Sequence, residues 1–118
     1  MANILLVEDN TDMRLLIQEV LEWGGHQVNS GRCGTEGLDI LASASPQPEL
    51  IISDMMMPGM DGITFFQQVR NHTEWSAIRF IMMSANPYDD RLEKMSQSGL
   101  DGILPKPFSL EDLDAILR

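Results

Sequence analysis

A single cysteine, two lysines and the lack of any long apolar run set the first limits on this chain of 118 residues. Cys33 cannot close an internal disulfide or assemble a thiolate metal site, so it reads as structural filler, compatible with a reducing compartment without demanding one. No apolar stretch approaches the ~20 residues that span a bilayer. The start, Met1-Ala2-Asn3, leads straight into a strand-like run with no basic region or cleavage site. A cytoplasmic location without membrane contact is the expectation. Lys94, Lys106 and six scattered arginines form no basic patch, and a net charge of −10 repels a phosphodiester backbone, which argues against direct binding of nucleic acid.

What is present is a hydrophobic share of 43%, enough for a globular core, in a length that fits one domain over residues 1–118. No linker, internal repeat or low-complexity segment divides it. Ile4 to Val7 is an apolar run too short for a helix, as expected of a strand covered on both faces. The period then changes: Met13, Leu16, Ile17, Val20 and Leu21 recur at helical spacing up to a stop at Gly24-Gly25. The same alternation continues with strands at Gln27 to Ser30, Leu50 to Ser53, Phe80 to Met83 and Gly102 to Leu104. Helices are expected over Thr35 to Ala42, Gly62 to Asn71 and Pro87 to Ser98, with a last one from Ser109 that turns Leu110, Leu113, Ile116 and Leu117 inward. Asp61 is a suitable N-cap, and Ser109 to Asp112 has the form of a capping box. Five βα units imply parallel pairing through right-handed crossovers, hence an α/β doubly wound sheet with helices on both faces.

Each of four apolar runs releases polar groups at its carboxyl end: Glu8-Asp9, Asp54, Ser84 and Lys106. An open parallel sheet builds its site at that edge. Taken singly, these are a pair of solvated acids, a turn former before Pro58-Gly59, a loop cap and a surface amine. Their joint occurrence makes those readings poor ones. The pieces Leu5 to Asn10, Asp54 to Gly62, Ser84-Ala85 and Lys106-Pro107-Phe108 together resemble the receiver domains of two-component response regulators, over the whole chain. The resemblance implies a flavodoxin-like five-stranded sheet of order 2-1-3-4-5.

In that order the acids of the first and third strands are neighbours. Three carboxylates so placed repel one another unless a cation intervenes. Hard oxygen ligands suit magnesium, which keeps several waters and accepts a phosphoryl oxygen. A carboxylate such as Asp54 can attack phosphorus, Lys106 offers a point charge to phosphoryl oxygens, and the Ser84 hydroxyl offers a hydrogen bond. The resemblance implies matching roles. Asp54 is the phosphoacceptor, Asp9 and Asp54 bind magnesium directly, Glu8 acts through water, and the backbone carbonyl of Met56 completes the ligands. It also implies a cis Lys106-Pro107 bond, a histidine kinase or histidine phosphotransfer protein as donor, and an output face of fourth helix, fifth strand and fifth helix.

Two departures stand out. Ile103 occupies a position, three residues before Lys106, where the family commonly has Tyr or Phe, so the usual ring rotation is not expected. The last helix is short for the family, which suggests a shortened chain or a domain from a longer regulator. Three rival readings are weaker. A phosphatase of the haloacid dehalogenase type carries Asp-x-Asp after its first strand, whereas here the run is Glu8-Asp9-Asn10-Thr11-Asp12. A flavin or nucleotide binder shares the fold, but that same loop is acidic and lacks glycine, and would repel a cofactor phosphate. A degenerate receiver used only for interaction would be expected to lack Asp54 or the metal acids.

Overall fold

The computed structural model describes residues 2–117. Strands β1 (Asn3–Val7), β2 (Gln27–Gly31), β3 (Leu50–Asp54), β4 (Arg79–Ser84) and β5 (Gly102–Pro105) alternate with helices α1 (Thr11–Trp23), α2 (Gly34–Ser43), α3 (Gly62–Asn71), α4 (Asp90–Gln97) and α5 (Leu110–Ile116). All pairings are parallel and the order is β2-β1-β3-β4-β5, the flavodoxin-like arrangement expected.

The strand sequences explain the layers. Side chains of a strand alternate between faces, and β1, β3 and β4 are apolar at almost every position. Ile4, Leu6, Leu50, Ile52, Ile81 and Met83 therefore pack on one face against Ile17 and Leu21 of α1 and Leu113 of α5. Leu5, Val7, Ile51, Phe80 and Met82 pack on the other, against Leu41, Phe65, Phe66, Val69, Leu92 and Met95 from α2, α3 and α4. Each such side chain, fully buried, contributes roughly 1.5–3 kcal/mol. Two covered faces leave only the strand ends for charged groups.

Helix starts are fixed by side-chain caps that replace missing backbone partners. Asn10 accepts from Met13 N–H at 2.9 Å, Asp61 from Thr64 N–H at 2.8 Å, and Ser109 and Asp112 exchange hydrogen bonds in a capping box. The structure corrects three expectations. Leu16 and Leu110, expected to face inward, are 56% and 64% exposed, because α1 and α5 diverge and leave a groove between them. The fourth helix begins at Asp90, not Pro87: Asn86 Oδ1 accepts from Tyr88 N–H, and Asp89, as N-cap, accepts from Arg91 N–H.

The crossing from β3 to α3 is the tightest point near the site. Gly62 N–H donates to the Met55 carbonyl at 2.9 Å, and a Cβ on Gly62 would overlap the Asp54 carbonyl oxygen and come within 2.9 Å of Met55 Cα. Both obstacles are backbone and cannot rotate away. Gly59 is different: its φ of +76° needs glycine, but a Cβ there meets nothing within 4 Å. Gly62→Ala should therefore destabilise by about 1–3 kcal/mol through overpacking and shift the amide resonances around Asp54. Gly59→Ala should cost about 1 kcal/mol of backbone strain and leave those resonances in place. Urea titration and amide chemical shifts check both, and equal effects of the two substitutions would contradict the close-approach account.

Candidate functional site

Strand register brings the acids together. Val7 is paired with Ser53 and Asp54 with Met83, so the chain leaving β1 at Glu8 runs beside the end of β3. Glu8, Asp9 and Asp54 each offer a carboxylate oxygen within 4.8 Å of the others. Glu8 is 1% exposed, Asp54 is buried and Asp9 is open to solvent.

Lys106 arrives from the end of β5, where its N–H donates to the Ser84 carbonyl at 2.7 Å and the Lys106-Pro107 bond is cis. Its Nζ donates to Glu8 Oε1 at 2.8 Å and lies 3.2 Å from Asp54 Oδ1. Burial opposes the ammonium charge. The hydrogen bond to Glu8 and the charges of Asp54 and Glu8 outweigh it, and the pKa stands above the ordinary lysine value. A cation thus sits between two of the three acids.

Further contacts hold the carboxylates. Glu8 Oε2 accepts from Asn10 N–H at 3.1 Å, and Asp54 Oδ1 accepts from Met55 N–H at 2.9 Å. Arg14 Nη1 donates to the Glu8 carbonyl at 3.0 Å, which ties α1 to the end of β1. Helical period puts Arg14 on the polar side of α1 and gives no sign of this contact. The only local signal is its place one turn into the helix that follows the acid pair. Asn10 was legible as part of the first motif, and as the residue before a helix it is a natural cap.

Ser84 is buried at the end of β4, but its hydroxyl is engaged by its own loop, donating to the Asn86 carbonyl at 2.9 Å and accepting from Asn86 N–H at 3.1 Å. Met56 follows Asp54 by two residues, with its side chain 62% exposed. The structure therefore gathers Glu8, Asp9, Asp54 and Lys106 into one pocket and holds the Ser84 hydroxyl turned to Asn86. The donor set suits a hard divalent cation: three carboxylates converge, one of them open to water, with no imidazole or thiolate among them.

Comparison with known proteins gives the same picture. Over 117 residues the chain is 34% identical to a probable chemotaxis protein CheY of Rhizobium etli, covering 98% of this chain and 88% of that protein. It is 36% identical to the KDP operon transcriptional regulatory protein KdpE of Escherichia coli, spanning half of that protein's length. Against the sensor histidine kinase TmoS of Ectopseudomonas mendocina it is 37% identical, over 95% of this chain and 11% of the kinase. Among solved structures, the chemotaxis protein CheY4 of Vibrio cholerae superposes with a TM-score of 0.91 at 29% identity, covering 99% of this chain and 96% of that one. A profile described as the response regulator receiver domain matches residues 4–118. With the sheet order, the acid triad and this match in agreement, the chain belongs to the response regulator receiver domain family.

Proposed function

We propose that the protein is a phosphorylation switch in which Asp54 takes a phosphoryl group from a histidine kinase or histidine phosphotransfer protein, in a magnesium-dependent reaction. The observation that carries this reading is the meeting of Glu8, Asp9 and Asp54 within 4.8 Å, with Lys106 2.8 Å from Glu8 and 3.2 Å from Asp54. An apolar groove of about 400 Å³ between α1 and α5 opens beside Lys106 and gives a donor an apolar surface next to the acids.

In the proposed step an Asp54 carboxylate oxygen attacks the phosphorus of phosphohistidine. The new P–O bond forms as the P–N bond breaks, and the imidazole leaves with the bonding pair. Lys106, already against Asp54, then turns to the phosphoryl oxygens, and the Ser84 hydroxyl leaves Asn86 to donate to one of them. Asp9, Asp54 and the Met56 carbonyl would hold magnesium, with Glu8 acting through water, and the ion would supply positive charge that offsets the crowding of carboxylate and phosphoryl oxygens. The protein acts on no separate small substrate; it promotes its own phosphorylation and hydrolysis. Among the described residues no helix is long and apolar enough to cross a membrane.

The site communicates outward through the loop after β4. If Ser84 leaves Asn86, the segment from Ala85 to Tyr88 loses the bonds that shape it, and α4 and β5 adjust. The output face in this reading is α4, β5 and α5.

Incubation with acetyl phosphate and magnesium should add a single phosphoryl group, seen as one mass increment removed by hydroxylamine, as an acyl phosphate requires. Asp54→Asn should take up none, since an amide oxygen is a poor nucleophile. Uptake by the variant equal to wild type, or none by wild type, would overturn the assignment. A second outcome concerns Ile103, which packs against the core beneath α4. Saturation with beryllium fluoride and magnesium should shift the amides of Ser84 to Tyr88, α4 and β5 while the Ile103 methyls keep their rotamer. Chemical shifts confined to the acid pocket would remove α4 and β5 from the output face.

A further inference from the structure

Between α4 and β5 lies an open cleft of about 340 Å³. Its apolar floor is the half-buried Ile103, with Leu92 buried beneath, and beside it stands Tyr88, which is 90% exposed and is the chain's single tyrosine. Asp90 and Glu93 line the rim, one turn apart on the same side of α4. The nearby cation does not neutralise them: the Arg91 guanidinium is turned to Asp89 at 2.8 Å, and Lys94 is not among the cleft residues.

A large aromatic ring left in water beside an apolar floor is uncommon on a surface that makes no contacts. The charge selects the occupant. A second copy would set acidic rim against acidic rim in a molecule of net charge −10, and nucleic acid is repelled for the same reason. A segment bearing an aliphatic side chain with arginine or lysine beside it satisfies the whole cleft. The aliphatic group covers Ile103, the cations meet Asp90 and Glu93, and a guanidinium can lie on the Tyr88 ring.

We propose that the α4–β5 cleft is the docking seat for a basic segment of a partner protein, anchored by one aliphatic side chain over Ile103. This rests on the reading of α4, β5 and α5 as the output face and gives that face a partner chemistry. The wall of the seat is wired to the phosphorylation site. Tyr88 N–H donates to Asn86 Oδ1 at 3.1 Å, and the Asn86 backbone is what holds the Ser84 hydroxyl. Movement of Ser84 therefore changes the cleft, and by reciprocity an occupied cleft changes the site.

The test is titration of the unphosphorylated, isotope-labelled protein with three capped tripeptides at millimolar concentration: Arg-Leu-Arg, Glu-Leu-Glu and Arg-Gly-Arg. Arg-Leu-Arg should shift the resonances of Tyr88, Glu93, Ser96 and Ile103, and the other two should not. Asp90→Lys combined with Glu93→Lys should weaken it about fivefold, the scale of two exposed ion pairs. Ser96→Phe, which fills the cleft from the surface of α4, should abolish the shifts at Ile103 while leaving the fold intact. Equal response to Glu-Leu-Glu or Arg-Gly-Arg, no response at all, or shifts confined to the α1–α5 groove would overturn the proposal. Adding beryllium fluoride and magnesium separates the two readings. A cleft that moves with the phosphoryl mimic but ignores Arg-Leu-Arg defeats the docking seat alone, whereas one that binds Arg-Leu-Arg but ignores the mimic defeats the output assignment.

Discussion

Three carboxylates held within 4.8 Å of one another, with one ammonium between two of them, form the constraint around which the rest is arranged. Like charges at that range would separate if they could. They cannot, because Glu8 and Asp54 hang on the ends of β1 and β3, whose register is fixed by apolar rows buried on both faces. Glu8 is 1% exposed, and its charge is balanced inside the protein by Lys106 and by the Asn10 amide. Gly62 serves the same end, since only a residue without Cβ lets α3 begin against the Asp54 carbonyl.

From that cluster a short path leads outward. The Lys106 amide is bonded to the Ser84 carbonyl, the Ser84 hydroxyl to Asn86, and the Asn86 side chain to the Tyr88 amide. Every link is a polar contact in a loop, while the strands beneath are packed on both sides. Rearrangement is therefore easier in the loop than in the sheet, as expected where switching elements are drawn from the less stable parts of a fold. In the proposed switch this loop carries more of the change, because Ile103 is aliphatic and has no ring to carry it across β5.

Much of this was legible in the sequence, for a physical reason. Parallel strands covered on both faces are short apolar runs, so Glu8, Asp9, Asp54, Ser84 and Lys106 stood out as polar groups at the carboxyl ends of those runs. The caps Asp61 and Ser109 were readable because their chemistry is local. What escaped depends on distances between elements. Helical period alone does not reveal how far α1 and α5 diverge, and Leu16 and Leu110 proved to line a groove. Nor could the sequence decide between Pro87 and Asp90 as the start of α4, since the hydrogen bonds of Asn86 and Asp89 settle that competition. The direction of the Ser84 hydroxyl and the reach of Arg14 to the Glu8 carbonyl belong to the same class.

The central claim is that the buried acids require a cation. The most direct test is unfolding free energy for wild type and Lys106→Met, each in chelator and in magnesium. In chelator the variant should lose about 2 kcal/mol, below the ~3–5 kcal/mol of a fully buried pair because the Lys106 side chain is 23% exposed. Magnesium at ten times its dissociation constant should stabilise wild type by about 1.4 kcal/mol. It should stabilise the variant by more, since the ion then supplies the charge that lysine did. Unchanged stability of Lys106→Met in chelator, together with no gain from magnesium in either protein, would contradict the account.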